Sequence, residues 1–177
     1  MKATSFKILL LIILLYTFSC QEKKERVKAE KRNPKLEETA REIMKTAYYC
    51  SLITLDEDNQ PRARIMEPFP PEEDMTIWLA TNPKSRKVKQ LKKNSKATLQ
   101  YFDKNNLGYV SLMGNAYLID DEKIKQKYWR DSWASFYANQ KEAYLLIKFI
   151  PYKLEVISAK HGINGDSLTW QPSGSLF

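Results

Sequence analysis

The chain has 177 residues, with 29 Lys and Arg against 21 Asp and Glu, one histidine and two cysteines, for a formal net charge of +8. That histidine and cysteine count cannot build a zinc site of His/Cys type, and five scattered glycines exclude a glycine-rich phosphate loop. Residues 1–19 contribute two lysines and residues 20–35 seven bases against three acids, leaving about +2 on residues 36–177. A general nucleic-acid binder needs a broad basic face, so no nucleic-acid partner is expected.

Residues 1–19 read as a signal peptide: Lys2 and Lys7, an apolar run from Ile8 to Leu15, then Tyr16-Thr-Phe-Ser ahead of Cys20. Even extended to Phe18 the run is eleven residues, about half of what spans a bilayer. Cys20 at the cleavage point predicts a lipidated N-terminus, with a membrane as partner and the bacterial cell envelope (periplasmic or outer-membrane side) as location; an ordinary signal peptide with an incidental cysteine is the alternative. Residues 20–35 alternate charges around Val27, too little apolar surface to offset ordering entropy. They read as a flexible tether, with a charged helix as the rival, and residues 36–177 as one domain.

Within that domain, Leu36–Ala47 has helical apolar spacing. Tyr48–Leu55 and Arg62–Phe69 read as a strand hairpin, joined by a turn in which Asn59 takes the left-handed conformation. Met75–Thr81 is a third strand. Asn82-Pro83 signals a helix start, and the helix running to Lys93 has only Val88 and Leu91 to bury. Ala97–Phe102 and Tyr109–Ile119 are strands, with Gly114 marking a bulge. Asp120 opens an amphipathic helix carrying Ile124, Tyr128, Trp129, Trp133 and Phe136. Tyr144–Phe149 and Lys153–Ser158 are strands broken at Pro151. Seven strands and three helices without a βαβ rhythm predict a mainly antiparallel α+β fold around a barrel. Cys50, in an apolar strand, reads as a small core residue, and His161 beside Gly162 as a turn or interface residue.

Two features carry chemistry. Thr81 is delivered by a strand to the mouth of a helix whose first turn holds Ser85, Arg86 and Lys87. Helix N-termini favour anions, and paired cations with a hydroxyl make charge-assisted bonds to phosphate. Lys84, Arg86, Lys87, Lys89, Lys92, Lys93 and Lys96 follow without an intervening acid, so a solvated basic face is the alternative. In Pro61-Arg62-Ala63-Arg64-Ile65-Met66, alternation places Arg62 and Arg64 on one face of a strand, its wet side or a ligand's polar edge.

The order Pro61-x-x-Arg64, Thr81-x-x-x-Ser85-Arg86-Lys87, Leu91 and Gly114 resembles the pyridoxamine 5′-phosphate oxidase-like family of FMN-binding split barrels. Trp129, Trp133, the strand before Pro151 and Trp170-x-Pro172 resemble its general-stress-protein branch. The resemblance spans about residues 36–177 and implies FMN as cofactor. It implies Ser85, Arg86 and Lys87 at the FMN phosphate, Arg64, Ile65 and Met66 along the flavin ring, and Thr81 at the ring or ribityl chain. It also implies a homodimer with flavin at the interface. Departures are informative. Glu67 and Pro68 follow Met66 where the oxidases continue toward a substrate-binding lysine, Ala80 replaces a tyrosine, Tyr109 a glutamine, and the C-terminal arginine motif is absent. Vitamin B6 oxidation is therefore not expected. The readings are an FMN-dependent oxidoreductase or flavin reductase, a non-catalytic binder of flavin, haem or a deazaflavin, and an envelope module whose basic helix meets lipid phosphates.

Overall fold

The computed structural model describes residues 32–137 and 143–177. The signal peptide, Cys20 and most of the tether lie outside the described residues. The compact unit is Asn33–Phe177.

Helix α1 spans Pro34–Ala47. It starts two residues before the expected Leu36, because the Asn33 side chain accepts from the Leu36 amide at 3.3 Å and Pro34 fits the first turn. Its apolar stripe of Leu36, Ala40, Ile43 and Met44 is buried against the sheet.

The hairpin is present: β1 (Cys50–Leu55) pairs antiparallel with β2 (Pro61–Met66), and Asn59 sits at φ 59° in the turn. Strand β3 covers Ile77–Thr81, helix α2 Arg86–Lys93, β4 Lys96–Asp103 and β5 Gly108–Ile119. As expected, α2 buries only Val88 and Leu91.

Four expectations need correction. Helix α2 does not begin at Asn82. Asn82 instead closes a turn, its carbonyl accepting from the Ser85 amide and its side chain from the Lys84 amide, and Ser85 becomes the cap residue. The helix after Asp120 is short, α3 (Glu122–Lys127), followed by a separate 3₁₀ turn at Asp131–Trp133. Arg130 between them is extended and reaches Glu67 and the Pro68 carbonyl, which pulls the chain out of the helix. Trp133 is buried, but Phe136 is 80% exposed.

Third, Pro151 does not break the late strand. β6 runs Leu145–Ile157 through it. The register with β5 slips there, with Met113 opposite Lys153 and Gly114 opposite Pro151, so Tyr152 is the extra residue of a bulge that tolerates a missing N–H. Gly114 is required at this spot: a Cβ would lie 2.5 Å from the Ile150 carbonyl oxygen. Fourth, the tail holds a strand the sequence pattern hides, β7 (Ser173–Leu176), paired with β6.

The strand order is β2-β1-β4-β5-β6-β3, all antiparallel, with β7 beside β6. The sheet curls but does not close; the Pro68–Leu79 bridge is where the chain after β2 meets β3. Inside lie Leu52, Leu79, Leu99, Leu112, Ile147 and Phe149, each 0% exposed. A second cluster (Trp78, Tyr128, Trp133, Tyr144, Leu146) covers the other face of β3. Burial on both faces makes β3 a rigid strand, and it delivers Thr81 to the start of α2.

Candidate functional site

Thr81 ends β3 and is buried. Its hydroxyl lies 3.1 Å from Ser85 Oγ and accepts from Lys87 Nζ at 3.1 Å. Ser85 makes no capping bond to its own helix, so the first-turn N–H groups of α2 are left without a side-chain acceptor. Burial lowers the Lys87 pKa, and the nearby Arg64 guanidinium lowers it further.

Arg64 comes from β2 and faces inward, opposite Leu52 in register. Nη1 donates to Thr54 Oγ1 at 2.6 Å and to the Leu52 carbonyl at 3.2 Å, while Nη2 donates to Gln90 Oε1 at 2.9 Å. Thr54 Oγ1 also donates to Gln90 Oε1 at 2.6 Å. This loop of bonds across β1, β2 and α2 holds the guanidinium flat and half-buried. Its pKa is lowered by that burial first and by the Arg86 charge second. Sequence reasoning missed Thr54 and Gln90. Gln90 stands one turn after Arg86 on α2, a spacing that places both on one side of the helix.

The decisive property is what the cluster lacks. The Arg64 charge is repelled by Arg86 and repels Lys87, and among the described residues none of the three is paired with a carboxylate. By contrast, Arg62 pairs with Asp56 at 2.7 Å, and Arg130 pairs with Glu67. Like charges brought together under partial burial cost free energy, and a bound dianion reverses that cost. A phosphate monoester fits the Ser85 hydroxyl, the Arg86 guanidinium and the Lys87 ammonium at the helix N-terminus, with the Arg64 charge beside them.

Ile65 and Met66 are not brought into this cluster. Ile65 points outward and is 69% exposed, whereas Met66 packs on the core. Their side chains lie on opposite faces, so what residues 64–66 share toward a ligand is the backbone of an edge strand, β2 being first in the sheet order. His161 occupies a 3₁₀ turn, with Nδ1 2.7 Å from Ser158 Oγ and Nε2 2.9 Å from Glu42 Oε2. Cys50 is buried, and burial pushes its thiol up to about 12, consistent with an inert core residue.

Residues 36–160 match the family pyridoxamine 5′-phosphate oxidase. The chain belongs to this family. No curated protein matches it, but solved structures do. General stress protein 26 from Bacillus anthracis is 25% identical, with a TM-score of 0.60 over 69% of this chain and 93% of that one. A pyridoxamine 5′-phosphate oxidase-related, FMN-binding protein from Nostoc punctiforme is 13% identical, with a TM-score of 0.57 over 78% and 91%. A heme-binding protein from Mycobacterium smegmatis is 15% identical, with a TM-score of 0.57 over 69% and 53%. The split-barrel α+β fold is thus shared, and members of this fold group bind FMN or haem. Just beyond β2, Phe69 is ringed by Tyr128, Trp133 and the Arg130 guanidinium.

Proposed function

We propose that this chain binds FMN, with its phosphate at the N-terminus of α2, and works as an FMN-dependent oxidoreductase or flavin reductase in the bacterial cell envelope, held to a membrane through Cys20. One observation carries the reading: half-buried Arg64 and Lys87, with Arg86, form a cation cluster that no carboxylate among the described residues compensates. Ser85, Arg86 and Lys87 would hold the phosphate and Thr81 the ribityl side. FMN supplies the redox chemistry when bound, and the protein supplies position and electrostatics. Arg64, fixed by Thr54 and Gln90, places a positive charge that favours an electron-rich ring.

A homodimer belongs to the same reading. The outward face of the sheet presents Ile65 and, two strands away, Phe102, both more than half exposed. A second copy laid there would cover them and enclose a flavin lying along β2.

The second reading is a non-catalytic binder of flavin, haem or a deazaflavin, supported by the heme-binding relative. Against haem, the chain's single histidine already has both ring nitrogens engaged. An absorption spectrum of the purified chain tests the proposal: oxidised-flavin bands at one FMN per chain support it, and a Soret band or no chromophore after FMN loading opposes it. Stopped-flow mixing with NADH or NADPH then separates catalyst from carrier.

A further inference from the structure

We infer that the hollow between α1 and the Pro68–Pro71 turn is a binding site for a small, flat aromatic molecule bearing one negative charge. The hollow holds about 500 Å³, within the usual range of ligand pockets. Its walls are Met44, Tyr48, Phe69, Pro70 and Pro71, and buried Tyr101 closes the inner end. Ring and proline faces favour a flat apolar body.

Three cations border this space, and the bonds sort them. Arg41 is committed to backbone: it donates to the carbonyls of Pro71 at 3.1 Å, Glu72 at 2.7 Å and Glu73 at 2.9 Å. Arg130 is paired with Glu67, donates to the Pro68 carbonyl and lies over the Phe69 ring at 4.3 Å. Lys45 is exposed at the rim, with neither an ion pair nor a hydrogen-bond partner among the described residues. One uncommitted positive charge on an apolar hollow selects a monoanion over a neutral molecule, and over a phosphate dianion that needs several donors.

The wall nearest Lys45 is held in place at a cost. Tyr48 has φ 62° and ψ −52°, and the Tyr49 amide donates to the Ala47 carbonyl at 2.7 Å, a tight three-residue turn that is strained for a residue with a side chain. The Tyr48 hydroxyl donates to Glu67 Oε1 at 2.6 Å. The strain thus sets one aromatic ring against the hollow and locks its far end.

The test uses the full chain and two probes, 1-anilinonaphthalene-8-sulfonate and the uncharged N-phenyl-1-naphthylamine, followed by fluorescence titration. Saturable binding of both at one site per chain is expected. Lys45→Glu, on an exposed side chain, weakens the sulfonate about tenfold, as loss of a charge-assisted contact does, and leaves the uncharged probe within about twofold. Tyr48→Ala, also at the surface, weakens both. No saturable site, an equal effect of Lys45→Glu on the two probes, or full binding in Tyr48→Ala would overturn the inference.

Discussion

Lys87 reaches back from the first turn of α2 to donate its ammonium proton to the Thr81 hydroxyl, 3.1 Å away at the end of β3. The contact ties the basic helix to a strand buried on both faces, yet leaves the ammonium without a negative partner among the described residues.

A pH dependence follows. Burial and the neighbouring Arg64 lower the Lys87 pKa below the usual 10.5. A bound phosphate favours the charged form and raises it again, so binding takes up protons on the alkaline side. FMN affinity should therefore fall as pH rises through the lowered Lys87 range, starting below pH 10.5, while riboflavin affinity stays flat. Calorimetry in buffers of different ionisation heat measures the uptake directly. Flat FMN affinity across that range would contradict it.

Gln90 should matter although it bears no charge. Gln90→Ala removes the acceptor shared by Thr54 and Arg64. Leaving a buried donor unmatched costs about 1–3 kcal/mol, and a freed guanidinium is less well placed. The expected result is a lower urea midpoint together with several-fold weaker FMN binding. Gln90→Glu should weaken binding more, because it supplies the missing carboxylate and competes with the phosphate.

Gly114→Ala should destabilise the fold without touching the site. The added Cβ would meet the Ile150 oxygen at 2.5 Å and the Phe149 ring at 2.6 Å, and overpacking of this kind costs about 1–3 kcal/mol. Gly174→Ala, whose nearest contact is 3.4 Å, should be close to neutral. Thermal denaturation of the two variants side by side checks the contrast.

The anchor is tested by Cys20→Ser. An apolar run of eleven residues cannot span a bilayer, so the variant should accumulate as uncleaved precursor or leave the membrane fraction. If it sediments with membranes as tightly as the parent, the lipid-anchor proposal is wrong.

Local chemistry was legible in the sequence; long-range compensation was not. Asn59, Gly114, Val88 and Leu91 each announce a turn, a bulge or a helix face through conformational freedom or spacing, and each sits as expected. The grouping of Thr81, Ser85, Arg86 and Lys87 follows from a strand running into a helix. Arg64 was visible as a strand arginine, but its partners Thr54 and Gln90 come from two other elements, 10 and 26 residues away. Pro151 reads as a breaker until the glycine opposite it is known. β7, Ser-Gly-Ser-Leu, has no alternation to mark it and exists because β6 offers an open edge. Phe136 shares helical spacing with Trp133, but the helix ends before either of them.

The most direct measurement compares FMN and riboflavin affinity in Lys87→Ala and Lys93→Ala. Residue 87 lies in the first turn of α2 and residue 93 at its end, about 9 Å further along the axis and near a Debye length at physiological salt. A hydrogen bond to a charged group is worth about 1.5–3 kcal/mol. Lys87→Ala should thus weaken FMN roughly tenfold to a hundredfold, Lys93→Ala should change it little, and riboflavin should be nearly indifferent to both. Equal losses at the two positions, or equal losses for the two flavins, would show that the basic helix is only a solvated face.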